Sequence, residues 1–530
     1  MRILALLLGV LAASPVLAAP PARPVSSDDA RRVAAQIDTL IASAQARAGV
    51  RPSALTDDAA FLRRISLDVA GKIPNVHEVR RFLQASGPDK RAEAIDRLLD
   101  SPGYINQSTA VWMELLVPET VNDIQLRFLA PPMQQWLRKQ FAQNTPYDVL
   151  VREIVSLPMM TPRNQGQQRL TPYGMPDNGP TPMAFYQVKQ GKPEELAASI
   201  SRLFLGLRLE CAQCHDHPFG KWKREEFWSQ AAFFAGLKGQ NQFAPINEQA
   251  DRRELAIPNT DRVAQARFLD GKQPRWKFKT GARTTLAEWM TAKENPYLAR
   301  ALVNRMWAHF FGIGLVDPVD DLVEEHAPSH PEVLDLLARE FVRHDFDLKF
   351  LIRAITLTEA YQRASTGTGS PGDPHQYTRG PVKGLSADQL YDSLCVATGI
   401  RDTTNFQQRL YNFGTPRQQF QDRFANQERR TEYHSSIPQA LTMMNNQLIL
   451  DATHPDRGEV LGALVAAPFL SDADRIETLY LAALGRKPRP EEASRMLRHV
   501  EKAGTPANRK KALGDVFWVL LNSTEFKFNH

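Results

Sequence analysis

Cysteine is scarce in this sequence, which has 3 cysteines among 530 residues. So few cysteines exclude a small fold held together mainly by disulfides. Cys211 and Cys214 nevertheless lie three residues apart, in the heptapeptide CAQCHDH, whereas Cys395 has no obvious mate. The closely spaced pair therefore needs a chemical explanation of its own.

Long apolar runs are also missing. The run at residues 3–13 follows one basic residue, Arg2, and is too short to span a bilayer as a mature helix. Small residues follow it up to Ala18, so residues 1–18 are predicted to be a signal peptide that is cleaved near Ala18. The mature protein is then predicted to be periplasmic or secreted, with no transmembrane segment.

No part of the chain has a long run of charge of one sign. The formal net charge of +6 is spread over segments that mix acids and bases, such as DKRAEAIDRLLD. Such mixing is typical of solvated helix faces, and it argues against a nucleic-acid partner. The sequence also lacks G-x-S-x-G, P-loop and H-E-x-x-H motifs, which leaves open whether the protein is an enzyme.

Apolar residues spaced three and four apart predict helices along most of the chain, as in PPMQQWLRKQFAQ and DLKFLIRAITLTEAYQ. Alternating runs are few, and VAQARFLD and RWKFKT, between residues 263 and 280, are the best candidate strands. The predicted fold is mainly α, with two helical domains joined by irregular, partly β linker regions. After the signal peptide, we predict a helical lead-in at 19–55, a first domain at 56–240, a linker at 241–284 and a second domain at 285–530.

The helical pattern that leads into CAQCHDH places Leu203, Leu207, Cys211 and Cys214 at steps of four and three. These positions form one helical stripe, so both sulfurs are predicted to point toward the interior, with His215 on nearly the same face. C-x-x-C-H is the attachment signature of c-type haem, in which two thiols bond to the porphyrin and the histidine binds iron. The motif thus predicts haem c at Cys211, Cys214 and His215, and export from the cytoplasm agrees with this cofactor.

Three roles that need no haem also stay open for the motif. The cysteines could be small core residues or could form a short, redox-active disulfide. Alternatively, Cys211, Cys214, His215 and His217 could bind zinc or iron, although four ligands within seven residues strain a tetrahedral site. For a sixth iron ligand, the nearest upstream candidates in or beside a Pro- and Met-rich loop at 157–182 are Met159, Met160, Met175 and Met183.

Histidines and acids are dense between residues 309 and 330. Side chains of these types can hold a divalent metal or act as an acid–base pair, although their spacing is not specific for any metal. Hydrogen bonds between helices would equally account for their presence. The residues of this possible second site are His309, Asp317, Asp320, Asp321, His326 and His330, with Glu324 and Glu325 beside them.

CAQCHDHPFGKW and the preceding FLGLRLE resemble the signature of a planctomycete cytochrome-type family of exported proteins of unknown function. FLRRISLDVAGKIP, from Phe61, resembles the opening of the same domain, and NPYLARALVNRMWAHFFGIGLVDPVDDL and QALTMMNNQ resemble the domain that usually follows it. The resemblance covers nearly everything after Asp57 and implies architecture more firmly than activity. The chain lacks the small cytochrome module that often precedes these domains, which implies a single haem centre.

Two functions follow from these patterns. The first is an exported redox or electron-transfer protein with one c-type haem, which exchanges electrons with partner proteins in the periplasm. The alternative is a periplasmic scaffold or enzyme that acts on extracellular polymers. In that alternative the 309–330 cluster is the site, and CAQCHDH has a structural or non-haem metal role.

Overall fold

The computed structural model describes residues 27–123, 125–159, 179–217, 220–367, 372–401, 414–424, 441 and 443–530. The predicted signal peptide lies outside these residues, as does most of the Pro- and Met-rich loop. In the part of the chain that the structure describes, helices predominate and the strands form only two-stranded antiparallel pairs. The prediction of a mainly α fold is therefore confirmed.

The helices before residue 240 are α1 (Ser27–Ala48), α2 (Asp58–Ile65), α3 (Val76–Gln84), α4 (Lys90–Leu99), α5 (Pro102–Leu116), α6 (Glu119–Asn122), α7 (Ala130–Ala142), α8 (Tyr147–Val155), α9 (Ala184–Gln187), α10 (Pro193–Ile200) and α11 (Arg224–Ala231). Two of them, α2 and α10, continue directly into π-helical turns, at Ser66–Ala70 and Ser201–Leu205. Short 3₁₀ turns lie at Leu126–Leu129, Glu210–Gln213, Ala232–Phe234 and Pro374–Gln376.

The helices after residue 280 are α12 (Ala282–Met290), α13 (Leu298–Phe311), α14 (Pro331–Arg343), α15 (Leu348–Thr356), α16 (Glu359–Gln362), α17 (Ala387–Thr398), α18 (Pro416–Phe424), α19 (Gln447–Ala452), α20 (Glu459–Ala466), α21 (Asp472–Leu484), α22 (Pro490–Lys502), α23 (Pro506–Asn522) and α24 (Thr524–Lys527). The strands are β1 (Leu237–Lys238), β2 (Asn247–Glu248), β3 (Glu254–Ala256), β4 (Val263–Gln265), β5 (Lys383–Gly384) and β6 (Phe528–Asn529).

Helix α3 shows how local sequence sets these elements. Asn75 accepts a hydrogen bond from the backbone N–H of Glu78 (3.0 Å), and the Glu78 carboxylate accepts one from the N–H of Asn75 (2.9 Å). This capping box satisfies two N–H groups that a helix start leaves without partners. Val79 and Phe82, three residues apart, then point into the core.

The region between residues 237 and 280 contains two strand pairs, β1–β2 and β3–β4. β4 confirms only the first three residues of the candidate strand VAQARFLD, and the second candidate, RWKFKT at residues 275–280, is an irregular loop. Trp276 is held there by side chains, because the guanidinium of Arg253 lies 4.1 Å from its ring centroid and Phe233 packs beside it. These contacts bury Trp276 partly without any backbone pairing.

Apolar side chains form two buried clusters. The larger extends from Ala30 on α1 to Tyr377 and also includes Leu481. The smaller combines residues from Leu385 to Phe526 with Leu67 and Ile73. Because α1 packs against α14 and α15, and the π-helical turn after α10 packs against α13, the larger cluster crosses the predicted linker at 241–284.

Two buried arginines of the FLRRISLDVAG segment bind carbonyl groups from distant parts of the chain. Arg63 donates to the carbonyls of Ala483 (3.2 Å) and Phe526 (3.0 Å). Arg64 donates to the carbonyls of Tyr361 and Arg363, the latter at 2.9 Å. The two arginines therefore tie this N-terminal segment to the second half of the chain and to its C-terminal residues.

Asp68, in the π-helical turn after α2, completes this junction. Its carboxylate accepts hydrogen bonds from Lys383 Nζ (2.7 Å), Asn529 Nδ2 (2.8 Å) and the Tyr361 hydroxyl (2.8 Å). Lys383 also donates to two carbonyls at the end of α13 (2.9 and 2.8 Å). The side chains of Asp68 and Lys383 are 0% and 1% exposed, so this is a fully buried ion pair.

Candidate functional site

Gly206 ends the helix that leads into CAQCHDH. It has a left-handed backbone (φ 67°), and a Cβ at this position would collide with the side chain of Leu322 and lie 3.1 Å from Ala301. A residue other than glycine is disfavoured in this conformation even without such crowding. The chain then turns, and Cys211 lies in the separate 3₁₀ turn Glu210–Gln213.

The prediction that both sulfurs point inward is therefore wrong, because Cys211 and Cys214 are exposed. The buried positions around the turn are taken by Leu207, Leu209 and Ala212. Side chains three residues apart in a 3₁₀ turn are nearly eclipsed, so the two cysteines lie on one side of it. Both are free thiols in the structure, and neither is buried as a core residue.

His215 follows directly and is also exposed. Its Nδ1 lies 2.7 Å from the carbonyl oxygen of Asp216, so Nδ1 carries a proton and donates a hydrogen bond to that oxygen. The other ring nitrogen, Nε2, is then the one with a lone pair for a metal. Metal-binding histidines in proteins commonly have this arrangement, in which one nitrogen is oriented by a carbonyl.

Helix α11 holds the turn in place. Trp228 Nε1 donates to the carbonyl of Gln213 (3.0 Å), and Arg224 Nε donates to the same oxygen (3.3 Å). The Asp216 carboxylate accepts from the backbone N–H of Arg224 (2.9 Å), at the first turn of α11. These contacts come from tertiary packing, and no spacing rule in the sequence predicted them.

His217 is half-buried, and its backbone N–H donates to the carbonyl of Trp222 (2.8 Å). The next two residues, 218 and 219, lie outside the described chain. Within the residues that the structure describes, no group of three or more His, Cys, Asp or Glu side chains is placed to hold a metal ion. Neither the four residues of CAQCHDH considered as zinc or iron ligands nor the residues of the 309–330 cluster form such a group.

The 309–330 cluster is divided among different partners. Asp320 pairs with Arg305, which also donates to the carbonyl of Leu203 (2.6 Å). Asp321 Oδ2 lies 3.2 Å from His326 Nδ1. These side chains take part in packing between α13, the loop that follows it and the turn after α10.

The remaining members of the cluster point elsewhere. His309 Nε2 donates to the carbonyl of Asp68 (3.1 Å), beside a cleft of about 50 Å³ that has room for a few water molecules. Asp317 precedes Pro318 in a cis peptide, and the exposed Glu324 pairs with Lys221 (3.2 Å). His309 and Asp320 thus make contacts that involve α13, whereas Asp321 and His326 pair with each other within the loop after it.

His330 lies under Tyr377, with 5.4 Å between the ring centroids, and it is 4% exposed. Burial lowers the pKa of His330, so the folded protein favours the neutral imidazole. The unfolded chain therefore binds a proton more readily, and the folded state should lose stability as the pH falls below about 6.5.

This loss can be measured by urea unfolding at a series of pH values above and below that point. The matched variant is His330→Gln, which cannot take up the proton. We expect the variant to lose less stability than the wild type on acidification. Equal losses in the two proteins would contradict a role for His330.

The four methionines considered as iron ligands are only partly described. Met159 is buried in the larger cluster, and Met183 directly precedes α9. Met160 and Met175 lie outside the described residues. The structure therefore assigns no sixth ligand.

The donor set at CAQCHDH fits covalently attached haem. Two exposed thiols lie on one side of a turn that α11 fixes, and an exposed imidazole with an available Nε2 follows directly. Covalent haem attachment needs accessible thiols and an iron ligand next to them. The same exposure does not fit the interpretation of the cysteines as core residues.

Two stretches of the chain match models of known protein families. Residues 36–239 match the model of PSCyt2, described as a protein of unknown function (DUF1549). Residues 282–437 match that of PSD1, described as a protein of unknown function (DUF1553). No curated protein and no solved structure matches the chain. No helix in the described ranges is long and apolar enough to cross a membrane. The chain thus matches the PSCyt2 and PSD1 models, both of unknown function, in the order that its resemblance to the planctomycete cytochrome-type proteins predicted.

Proposed function

We propose that this is an exported redox protein in which Cys211 and Cys214 attach one haem covalently and His215 binds its iron. The observation that carries the proposal is the hydrogen bond from His215 Nδ1 to the Asp216 carbonyl. It orients the imidazole and leaves Nε2 for the metal, directly after two exposed thiols on one side of a turn.

The residues of the chain have distinct roles in this proposal. Each thiol would add across one vinyl group of the porphyrin, forming a C–S bond while its proton would pass to the second vinyl carbon. Asp216 orients His215, and Trp228 and Arg224 hold the turn between the cysteines. The bound haem would supply a one-electron couple, and the exposure of the residues that would hold it suits exchange with partner proteins in the periplasm.

The test is expression with the predicted signal peptide in a host that has periplasmic haem-attachment machinery. We expect the intact mass to show loss of residues 1–18 and gain of one haem, with haem staining after denaturing electrophoresis. Thioether bonds survive denaturation, whereas a metal ion or a disulfide leaves no covalent chromophore.

Variants make the assignment specific. Cys211→Ser combined with Cys214→Ser should abolish the stain, whereas the matched control Cys395→Ser should keep it. His215→Ala should change the absorption spectrum of any haem that is still attached, because the iron loses its ligand. A wild-type mass equal to that of the bare polypeptide, with zinc or iron present, would reject haem.

A further inference from the structure

A loop between β4 and α12 combines basic and aromatic side chains at the surface. Residues 271–281, here called the basic loop, contain Lys272, Arg275, Lys277 and Lys279 and no acidic residue. The basic loop is therefore a local concentration of positive charge.

Phe278, between Lys277 and Lys279 in this loop, is 90% exposed. A single exposed apolar side chain is common in proteins and needs no explanation by itself. Here, however, Lys279 has a left-handed backbone (φ 58°), which non-glycine residues rarely adopt, and its ammonium lies 5.3 Å from the Phe278 ring centroid. The phenyl ring of Phe278 and the ammonium of Lys279 therefore lie side by side at the protein surface.

The base of the loop is anchored, so its tip has a defined position. Trp276 packs between Arg253 and Phe233, and the N–H of Ala282 donates to the carbonyl of Ala250 (3.4 Å). This packing supports the backbone on both sides of Phe278.

Two of the cations remain available to a partner. Lys272 pairs with Asp270 (3.0 Å) and Lys277 with Glu288 (2.6 Å). Arg275 and Lys279 are exposed and form no ion pair with any residue that the structure describes. Exposed cations around an exposed phenyl ring are chemically complementary to a surface in which anionic groups cover an apolar layer.

We infer that the basic loop binds the surface of a bilayer that contains anionic phospholipids. Phe278 would enter the boundary between headgroups and acyl chains, and Arg275 and Lys279 would contact lipid phosphates. A soluble acidic polysaccharide offers the same charge but no apolar layer, so it gives Phe278 no favourable environment. The inference does not depend on haem at CAQCHDH.

The test is co-sedimentation of the full-length mature protein with vesicles of phosphatidylcholine, with and without phosphatidylglycerol, at low ionic strength. We expect binding only to vesicles with phosphatidylglycerol, and loss of binding in high salt. Phe278→Ser should weaken binding about tenfold. Lys279→Asn, which keeps a residue tolerant of the left-handed backbone, should weaken it about fivefold.

Phe469 supplies a matched control. It is 83% exposed but lies close to Asp472 and Asp474, so Phe469→Ser should leave vesicle binding unchanged. Circular dichroism checks that all variants are folded. The inference is overturned if the wild type does not bind phosphatidylglycerol vesicles, or if Phe278→Ser binds them equally well. Binding to dextran sulfate but not to vesicles would also overturn it and would indicate a polysaccharide partner.

Discussion

Lys383→Met is expected to lower the free energy of unfolding by about 3–5 kcal/mol, because it leaves a buried carboxylate without its cation. Lys383 and Asp68 are almost completely excluded from solvent. Asn529 and Tyr361 would still donate to Asp68, but neither carries a compensating charge. The variant also leaves two carbonyls at the end of α13 without their donor. Urea unfolding followed by circular dichroism measures the change.

The control for this prediction is the double variant Asp68→Asn with Lys383→Met. It removes both charges and keeps a polar side chain beside Asn529, so it should be more stable than Lys383→Met alone. If the single and double variants are equally unstable, the loss comes from the carbonyl contacts of Lys383 and not from an unpaired charge. If Lys383→Met is as stable as the wild type, the ion pair does not hold the two ends of the chain together.

Gly206→Ala should be the second most damaging change, because Gly206 combines a left-handed backbone with close packing. The backbone conformation alone costs a residue with a Cβ about 1–2 kcal/mol. The collision of that Cβ with Leu322 should add about 1–3 kcal/mol, as overpacking in a core does. Because Gly206 also directs the chain toward CAQCHDH, the yield of covalently attached haem should fall as well.

Gly49→Ala is the matched control. Gly49 has nearly the same backbone conformation (φ 68°), but nothing lies within 4 Å of a Cβ built there. Gly49→Ala should lower the free energy of unfolding only by the cost of the left-handed backbone, and it should leave haem attachment unchanged. Equal losses of stability in the two variants would show that Leu322 moves aside at little cost.

The helices predicted at PPMQQWLRKQFAQ and DLKFLIRAITLTEAYQ are confirmed as α7 and as α15 with α16, because each depends on local patterns. The capping residues Asn75 and Ser386 and the apolar spacing of α15 are readable from a few neighbouring positions. The strand predicted at residues 275–280 was wrong, because side-chain packing of Trp276 and not backbone pairing holds that segment. The predicted domain boundaries stay predictions, although the larger apolar cluster crosses the linker.

At the candidate site, the sequence by itself determined which chemical groups are present and in what order: two thiols three residues apart, followed by an imidazole. Only the tertiary structure decided that the thiols face solvent, because the left-handed backbone of Gly206, where a Cβ would collide with Leu322, ends the helix that periodicity would have continued. Only the tertiary structure decided, too, that Arg63, Arg64 and Asp68 are buried. In the sequence, charged residues within a helical pattern look like a solvated helix face. The buried partners of these three residues lie some 300 to 460 residues away, and a local pattern carries no information about contacts at that separation.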